Sequence, residues 1–288
     1  MKVFVTGGSG YIGRSLLRIL SERGDSVTAL VRSDESAKTV SDLGATPVKG
    51  ELTDATVLRE AAAAADGVVH LALTGDERSG EVDRAAANAL LAGAGGNPYV
   101  HTGGSWTYGD TDGFADEDAP FAPPMITAWR GPLEEQLLAT RTQGSHPVIV
   151  RPGIVYGQGG GLLGFFLGEG VQAGAIGYLG DGTSHWSLVH VDDIADLYAR
   201  ALTAPAGGHY LGVTGVSVQT REVAEALGQA AGIPGRTRSI SREELAGKLG
   251  PLADALFLDQ RFATTKAQDE LGWNPRHRDP LADLAGGR

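Results

Sequence analysis

The chain has 288 residues, 35 of them acidic and 24 basic, giving a formal charge of −11, and it contains no cysteine. That length suits one large α/β domain or a large domain with a small lobe, and a core of that size needs no covalent staples. The lack of cysteine excludes disulfides, thiolate metal sites and cysteine nucleophiles, and an acidic chain with no basic block argues against nucleic acid as a partner.

No apolar run is long enough to cross a bilayer, and no basic start with an apolar stretch marks a leader, so a cytoplasmic protein away from membranes is expected. Residues 2–6 are strand formers. They run into Thr6-Gly7-Gly8-Ser9-Gly10-Tyr11-Ile12-Gly13, after which Ile12, Leu16, Ile19 and Leu20 mark one stripe of a helix. Strand, glycine turn and helix in that order form a dinucleotide cradle. One glycine lets the chain turn, one lets the backbone approach a pyrophosphate, and one lets the helix pack on the sheet. The helix N-terminus then offers free N–H groups to the phosphates.

A second strand covers residues 26–31 and ends at Arg32-Ser33. An acid at that point would hold the 2′-hydroxyl of NAD, whereas a cation accommodates the 2′-phosphate of NADP. Arg32 and Ser33, with Arg14 near, therefore favour NADP over NAD, with Asp34 and Glu35 expected on a loop in solvent; the alternative makes Arg32 an ordinary surface residue. A third strand falls at 45–50, and Glu51 follows where a side chain reaches the adenine amino group. Residues 67–72 form a buried fourth strand in which His70 reads as a core residue, 82–91 a helix, and 99–102 the opening of a fifth strand. The alternation predicts a doubly wound parallel sheet.

In order along the chain, six segments resemble the extended short-chain dehydrogenase/reductase superfamily, the NAD(P)-dependent epimerase/dehydratase group. They are residues 6–13, Val68-Val69-His70-Leu71-Ala72, Tyr108-Gly109, Arg151-Pro152-Gly153-Ile154-Val155-Tyr156-Gly157, Val189-His190-Val191-Asp192-Asp193-Ile194-Ala195, and Leu271-Gly272-Trp273-Asn274-Pro275. The resemblance implies an α/β, doubly wound Rossmann-type parallel sheet with a smaller C-terminal α/β substrate lobe. It places the dinucleotide domain at 1–155 and the lobe at 156–288, with about 183–202 returning to the first domain. It also implies a homodimer and a small-molecule substrate. The cofactor would be held by Gly7, Ser9, Gly10, Tyr11, Ile12, Gly13, Arg32, Ser33, Glu51, Leu52, Leu71, Ala72, Leu73, Thr102, Gly103, Arg130, Pro152, Gly153, Ile154 and Val155.

The catalytic signature departs from the pattern resembled. A Ser or Thr on the fifth strand and a later Tyr-x-x-x-Lys are its usual apparatus; aligned here, the Ser position is Gly104, the Tyr position Ile126 and the Lys position Arg130. Isoleucine transfers no proton, and arginine stays charged. Arg130 with Glu134 four residues on reads either as the counterpart of that Lys and its acid or as a surface ion pair, and Pro132 allows the helix to begin after Arg130. Candidate replacements at the end of the fifth strand are Tyr108 first, then Thr102 and Ser105, with Tyr156 and His190 farther off. Phe165, Phe166, Leu167, Ile176, Tyr178 and Leu179, with Trp129, His185 and Trp186, form either the wall of an apolar cleft or simply lobe core. The histidines show no metal-ligand spacing. The resulting expectation is an NADP(H)-dependent oxidoreductase of a carbonyl or alcohol. The alternatives are an epimerase or dehydratase, or a sensor that binds the cofactor without turnover.

Overall fold

The computed structural model describes residues 1–287. Strand and helix alternate through β1 (Lys2–Thr6), α1 (Tyr11–Glu22), β2 (Ser26–Val31), α2 (Asp34–Asp42), β3 (Thr46–Lys49), α3 (Ala55–Ala63), β4 (Gly67–His70), α4 (Ser79–Ala94) and β5 (Pro98–Thr102). A 3-10 turn (Ser105–Tyr108), the short β6 (Phe114–Ala115) and a second 3-10 turn (Met125–Thr127) lead into α5 (Arg130–Ala139), β7 (His146–Pro152) and β8 (Ile154–Tyr156). Next come α6 (Gly161–Ala173), β9 (Ile176–Leu179), β10 (His185–His190), α7 (Val191–Ala201), β11 (His209–Gly212), β12 (Ser217–Gln219) and α8 (Thr220–Ala230). The chain closes with β13 (Thr237–Ile240), α9 (Arg242–Leu249), α10 (Leu252–Leu256), β14 (Arg261–Phe262), α11 (Lys266–Leu271) and α12 (Pro280–Ala285).

Seven parallel strands form the main sheet in the order β11-β7-β5-β4-β1-β2-β3. The order reverses between β1 and β4, and a crevice opens there beyond the carboxyl ends of the strands. Helices cover both faces, which is why Val3, Phe4, Val5, Val68, Val69 and Val100 are all buried in uninterrupted apolar runs. On one face Leu16, Leu17 and Leu20 of α1 pack with Ile194, Leu197 and Tyr198 of α7. On the other, Leu58, Leu90, Leu133 and Leu137 bring α3, α4 and α5 onto Phe4, Tyr99 and Ile149. Among the described residues no helix is long and apolar enough to cross a membrane.

The lobe has its own core, built from Tyr156, Leu163, Phe166, Ile176, Trp186, Leu188, Val223 and Leu227. Its extent differs from the division expected at residue 155. β11 is a strand of the main sheet, with His209 opposite Ile149 and Gly212 opposite Pro152. Ala267 and Trp273 also pack into the α1–α7 core, so the chain returns to the first domain well beyond 183–202. Trp273 holds this return in place. Its indole N–H donates to Asp193 O at 2.9 Å, and the Asp193 carboxylate accepts from the amides of Arg276 at 2.8 Å and His277 at 2.9 Å. An acid in the first turn of α7 thus fixes the segment that crosses it, where helix dipole and hydrogen bonds act together. Replacing Trp273 by Ala should cost about 3–5 kcal/mol in urea unfolding; a loss below about 1 kcal/mol would mean that the indole is not a keystone of this face.

A candidate dinucleotide and substrate site

The turn from β1 into α1 is built of backbone in contact with backbone. Gly7 sits at φ +75°, and a Cβ there would stand 2.8 Å from Ala72 N. A Cβ on Gly13, inside α1, would stand 2.1 Å from Gly7 O. No larger residue fits either place without moving the helix off the sheet. α1 starts at Gly10 with no side-chain cap and no acid in its first turn, whereas Ser33 caps α2 and Asp54 caps α3. The first N–H groups of α1 are therefore left for an anion, and the residues present fit a dinucleotide pyrophosphate. The Tyr11 hydroxyl donates to Gly157 O at 2.6 Å, so this cradle is tied to the loop after β8. Ser9 and Ile12 stand half-buried in the same turn.

At the exit of β2, Arg32 and Ser33 are exposed. Asp34 and Glu35 are not on a loop: they form the first turn of α2, where the helix dipole favours acids, and Asp34 pairs with Lys49 at 3.2 Å. Glu51 is exposed and, with Gly50, Thr53, Asp54, Ala55 and Thr56, lines an open hollow of about 530 Å³; Leu52 is half-buried beside it. At the exit of β4, Leu71 and Ala72 are half-buried and Leu73 is exposed.

The hydroxyls expected as proton donors are spent inside the protein. Tyr108 is 2% exposed; it donates to Glu117 O at 3.1 Å, accepts from Arg151 Nη1 at 2.7 Å, and its ring meets Phe121 and Phe262 edge-on. Burial pushes its hydroxyl well above the usual tyrosine range, so Tyr108 is withdrawn as the donor. Ser105 is buried against Gln260, which also holds the carbonyls of Ser105 and Gly109. The Thr102 hydroxyl donates to His70 O at 2.6 Å and accepts from Tyr198 at 2.9 Å. Tyr156 donates to Asp283 at 3.0 Å, and His190 accepts from Asp192 N as the cap of α7 while stacking on His277. Gly104 has open space where its side chain would be, with nothing within 4 Å.

Arg130 is the first residue of α5, and Pro132 lies within the first turn, where proline is tolerated. Arg130 does not pair with Glu134 on the surface. Glu134 is buried and bonded to Arg151 Nε at 2.7 Å, while Arg130 Nη1 donates to the carbonyls of Thr102 at 2.9 Å and Gly103 at 3.3 Å. Pro152 at the end of β7 and Gly153 after it are half-buried; Ile154 turns into the lobe core and Val155 packs on the α1–α7 core. Phe166, Ile176, Leu179 and Trp186 are lobe core rather than cleft wall, and Phe165, Leu167 and Tyr178 pack against it.

One cluster escapes sequence reasoning. Asp83 of α4 is buried between His70 and His101, at 3.2 and 3.4 Å from their Nε2 atoms. Thr6 Oγ1 lies 2.5 Å from His70 Nδ1, and the Tyr99 hydroxyl 2.9 Å from His101 Nδ1. Assigned from these partners, the two hydroxyls donate to Nδ1 and both Nε2–H groups face the carboxylate. Burial would raise the Asp83 pKa, but the N–H groups of His70 and His101 that face it and the charge of Arg130 hold it below the usual range. Burial lowers the His101 pKa to about 3, so the ring stays neutral. The available sequence signal was a lone acid at 83 in the otherwise apolar stripe of Val82, Ala86, Ala87 and Leu90.

Unfolded His101 takes up a proton near its ordinary pKa of about 6.5, and folded His101 only near about 3, so the unfolded state binds more protons in that window. Stability from this ring is complete above about pH 6.5 and falls below it by about 1.4 kcal/mol per pH unit. Melting temperatures should drop between about pH 7 and pH 5, less so in His101→Gln; an equal drop in the variant would place the sensitivity elsewhere.

Residues 3–211 match the model of the NAD dependent epimerase/dehydratase family. The chain is 31% identical to an uncharacterized protein of Schizosaccharomyces pombe over 99% of this chain and 98% of that one. It is 30% identical to a 4-hydroxy-2-methyl-3-oxo-4-farnesyl-3,4-dihydroquinoline-1-oxide ketoreductase of Stigmatella aurantiaca, covering 83% of this chain and 76% of the relative. Among solved structures, a dTDP-glucose 4,6-dehydratase from Streptomyces venezuelae with NAD bound superposes at a TM-score of 0.83, with 23% identity over 100% of this chain and 95% of the other.

Proposed function

The chain belongs to the NAD dependent epimerase/dehydratase family, and from that membership we propose that it is an NADP(H)-dependent oxidoreductase acting on a small, fairly apolar carbonyl or alcohol substrate. The exit of β2 carries the choice of cofactor. Arg32 and Ser33 stand exposed there, and Asp34, the nearest acid along the chain, is turned to Lys49. A guanidinium and a hydroxyl suit a 2′-phosphate. The uncapped start of α1 would take the pyrophosphate, Glu51 and Leu52 the adenine, and Leu71–Leu73, Thr102, Gly103, Arg130 and Pro152–Val155 the nicotinamide end. When bound, the dinucleotide supplies or accepts a hydride.

The chain's own residues shape what meets it. Thr102 is fixed by His70 and Tyr198, so the end of β5 is a rigid floor. Leu73, Phe114 and Met125 are exposed apolar residues on the segments that follow β4 and β5. Exposed apolar side chains there suit an apolar ketone, and the name of the Stigmatella relative describes one, a 3-oxo compound with a farnesyl group. An epimerase or dehydratase would use the same cradle but leans on the tyrosine that Ile126 replaces. The absence of a free hydroxyl at this edge favours one second reading, a protein that binds the cofactor without turnover.

NADPH and NADH titrations of the wild type and Arg32→Ala test the cofactor. Loss of one charged hydrogen bond should weaken NADPH about 10- to 100-fold and leave NADH within about 3-fold. A wild-type preference for NADH, or no binding of either, would overturn the reading. Tight NADPH binding with no NADPH consumption across a panel of apolar ketones would select the non-catalytic alternative.

A further inference from the structure

We infer that Arg130 anchors an anionic oxygen group of the substrate, a carboxylate carried close to its reacting carbonyl. The inference rests on the proposal that substrate occupies the carboxyl edge of β5.

Two arginines reach that edge, and they are not alike. Arg151 has a buried counter-ion, donating from Nε to the Glu134 carboxylate and from Nη1 to the Tyr108 hydroxyl, both at 2.7 Å. Arg130 spends only Nη1, on the carbonyls of Thr102 and Gly103. Among the described residues its Nε and Nη2 have no protein acceptor, and neither is a buried orphan, so both keep accessible surface at the end of β5 where Nη1 is anchored. Among the described residues no carboxylate lies within 4.0 Å of this guanidinium; Asp83 and Glu134 act on it only from farther away. A half-buried, unpaired guanidinium keeps three N–H donors in a planar fork, and the fork matches a carboxylate.

The cofactor phosphates do not account for it. Their cradle follows β1, and β5 lies beyond β4, two strand spacings or about 10 Å across the sheet. The exit of β2 is one spacing farther. A ribose hydroxyl, the role that the resemblance gives this position, needs one donor and no charge, which leaves the rest of the fork unused. Room for a ligand group is present, because nothing lies within 4 Å of the place a side chain on Gly104 would take. The Ile126 carbonyl accepts from Trp129 Nε1 at 3.1 Å, which ties residue 126 to the ring that Arg130 lies over. Where the resembled pattern has two hydroxyls, this chain has a glycine and an isoleucine, with a cation at the third position.

The arrangement carries its own reporter, since the Arg130 guanidinium stands 4.5 Å from the centre of the Trp129 ring. The test titrates the full-length protein, with and without NADP+, using a medium-chain 3-oxoalkanoate, its methyl ester and the matching 2-alkanone, read by tryptophan fluorescence and calorimetry. The acid should bind at least about tenfold tighter than the ester, and added salt should shrink the gap. Arg130→Gln should abolish the preference and Arg130→Lys keep part of it, with NADPH affinity measured in each protein. Equal binding of acid and ester by the wild type overturns the proposal, and so does an intact preference in folded Arg130→Gln. The acid–ester contrast needs no variant, so it decides even if Arg130→Gln does not fold. Failure of NADPH to bind the wild type would count against the oxidoreductase reading alone, because the contrast is also read without cofactor.

Discussion

The carboxyl edge of the sheet depends on the buried pair between Glu134 of α5 and Arg151 of β7. Burial pushes the Glu134 carboxyl up and Arg151 pulls it back, so the two charges persist only together. The pair gathers its neighbours. Arg151 also donates to the Tyr108 hydroxyl and lies over the ring of Phe121, so the turn after β5 and the loop at 121 close on the same guanidinium. Glu134 presses against Gly103, where a Cβ would come 2.3 Å from its Oε1. Residues that read as catalytic furniture are structural furniture here, and the edge is left to Arg130 and Gly104.

The sheet was legible because its strands advertise themselves locally. Apolar runs of four to six residues, glycine at the turn and an amphipathic helix after it are signals contained within one window of sequence. The observed strands β1 to β5 fall where the pattern puts them, and α4 extends the expected 82–91 by three residues at each end, to Ser79–Ala94. Side-chain partnerships across the fold were not legible. Spacing pairs Arg130 with Glu134, yet the acid bonds to a residue 17 positions on. The Thr102 hydroxyl accepts from Tyr198, 96 residues away, and Asp83 finds two histidines on neighbouring strands. Whether a tyrosine faces a cleft or a core is decided by such contacts, and Tyr108 shows how a residue at the right strand end can point inward.

The extent of the return to the first domain was hidden for a related reason. The expected return at about 183–202 stops short of β11, which topology places beside β7 after the chain has already built half of the lobe. Two short elements with weak periodicity, β11 and the stretch around Trp273, are recognisable only by the partners they meet. The stacked rings of His190 and His277, 3.6 Å apart, are another such meeting, joining the start of α7 to the final segment.

This weave bears on how the fold can change over evolutionary time. A chain cut after β8 would lose the edge strand that covers β7, open the groove that Trp273 fills, and free Tyr11 from Gly157. The substrate lobe therefore cannot be exchanged as a cassette, in the way that domains joined by a linker recombine. New specificities in this architecture must arise by substitution within the rim and the lobe, under a scaffold that the same segments are still required to complete.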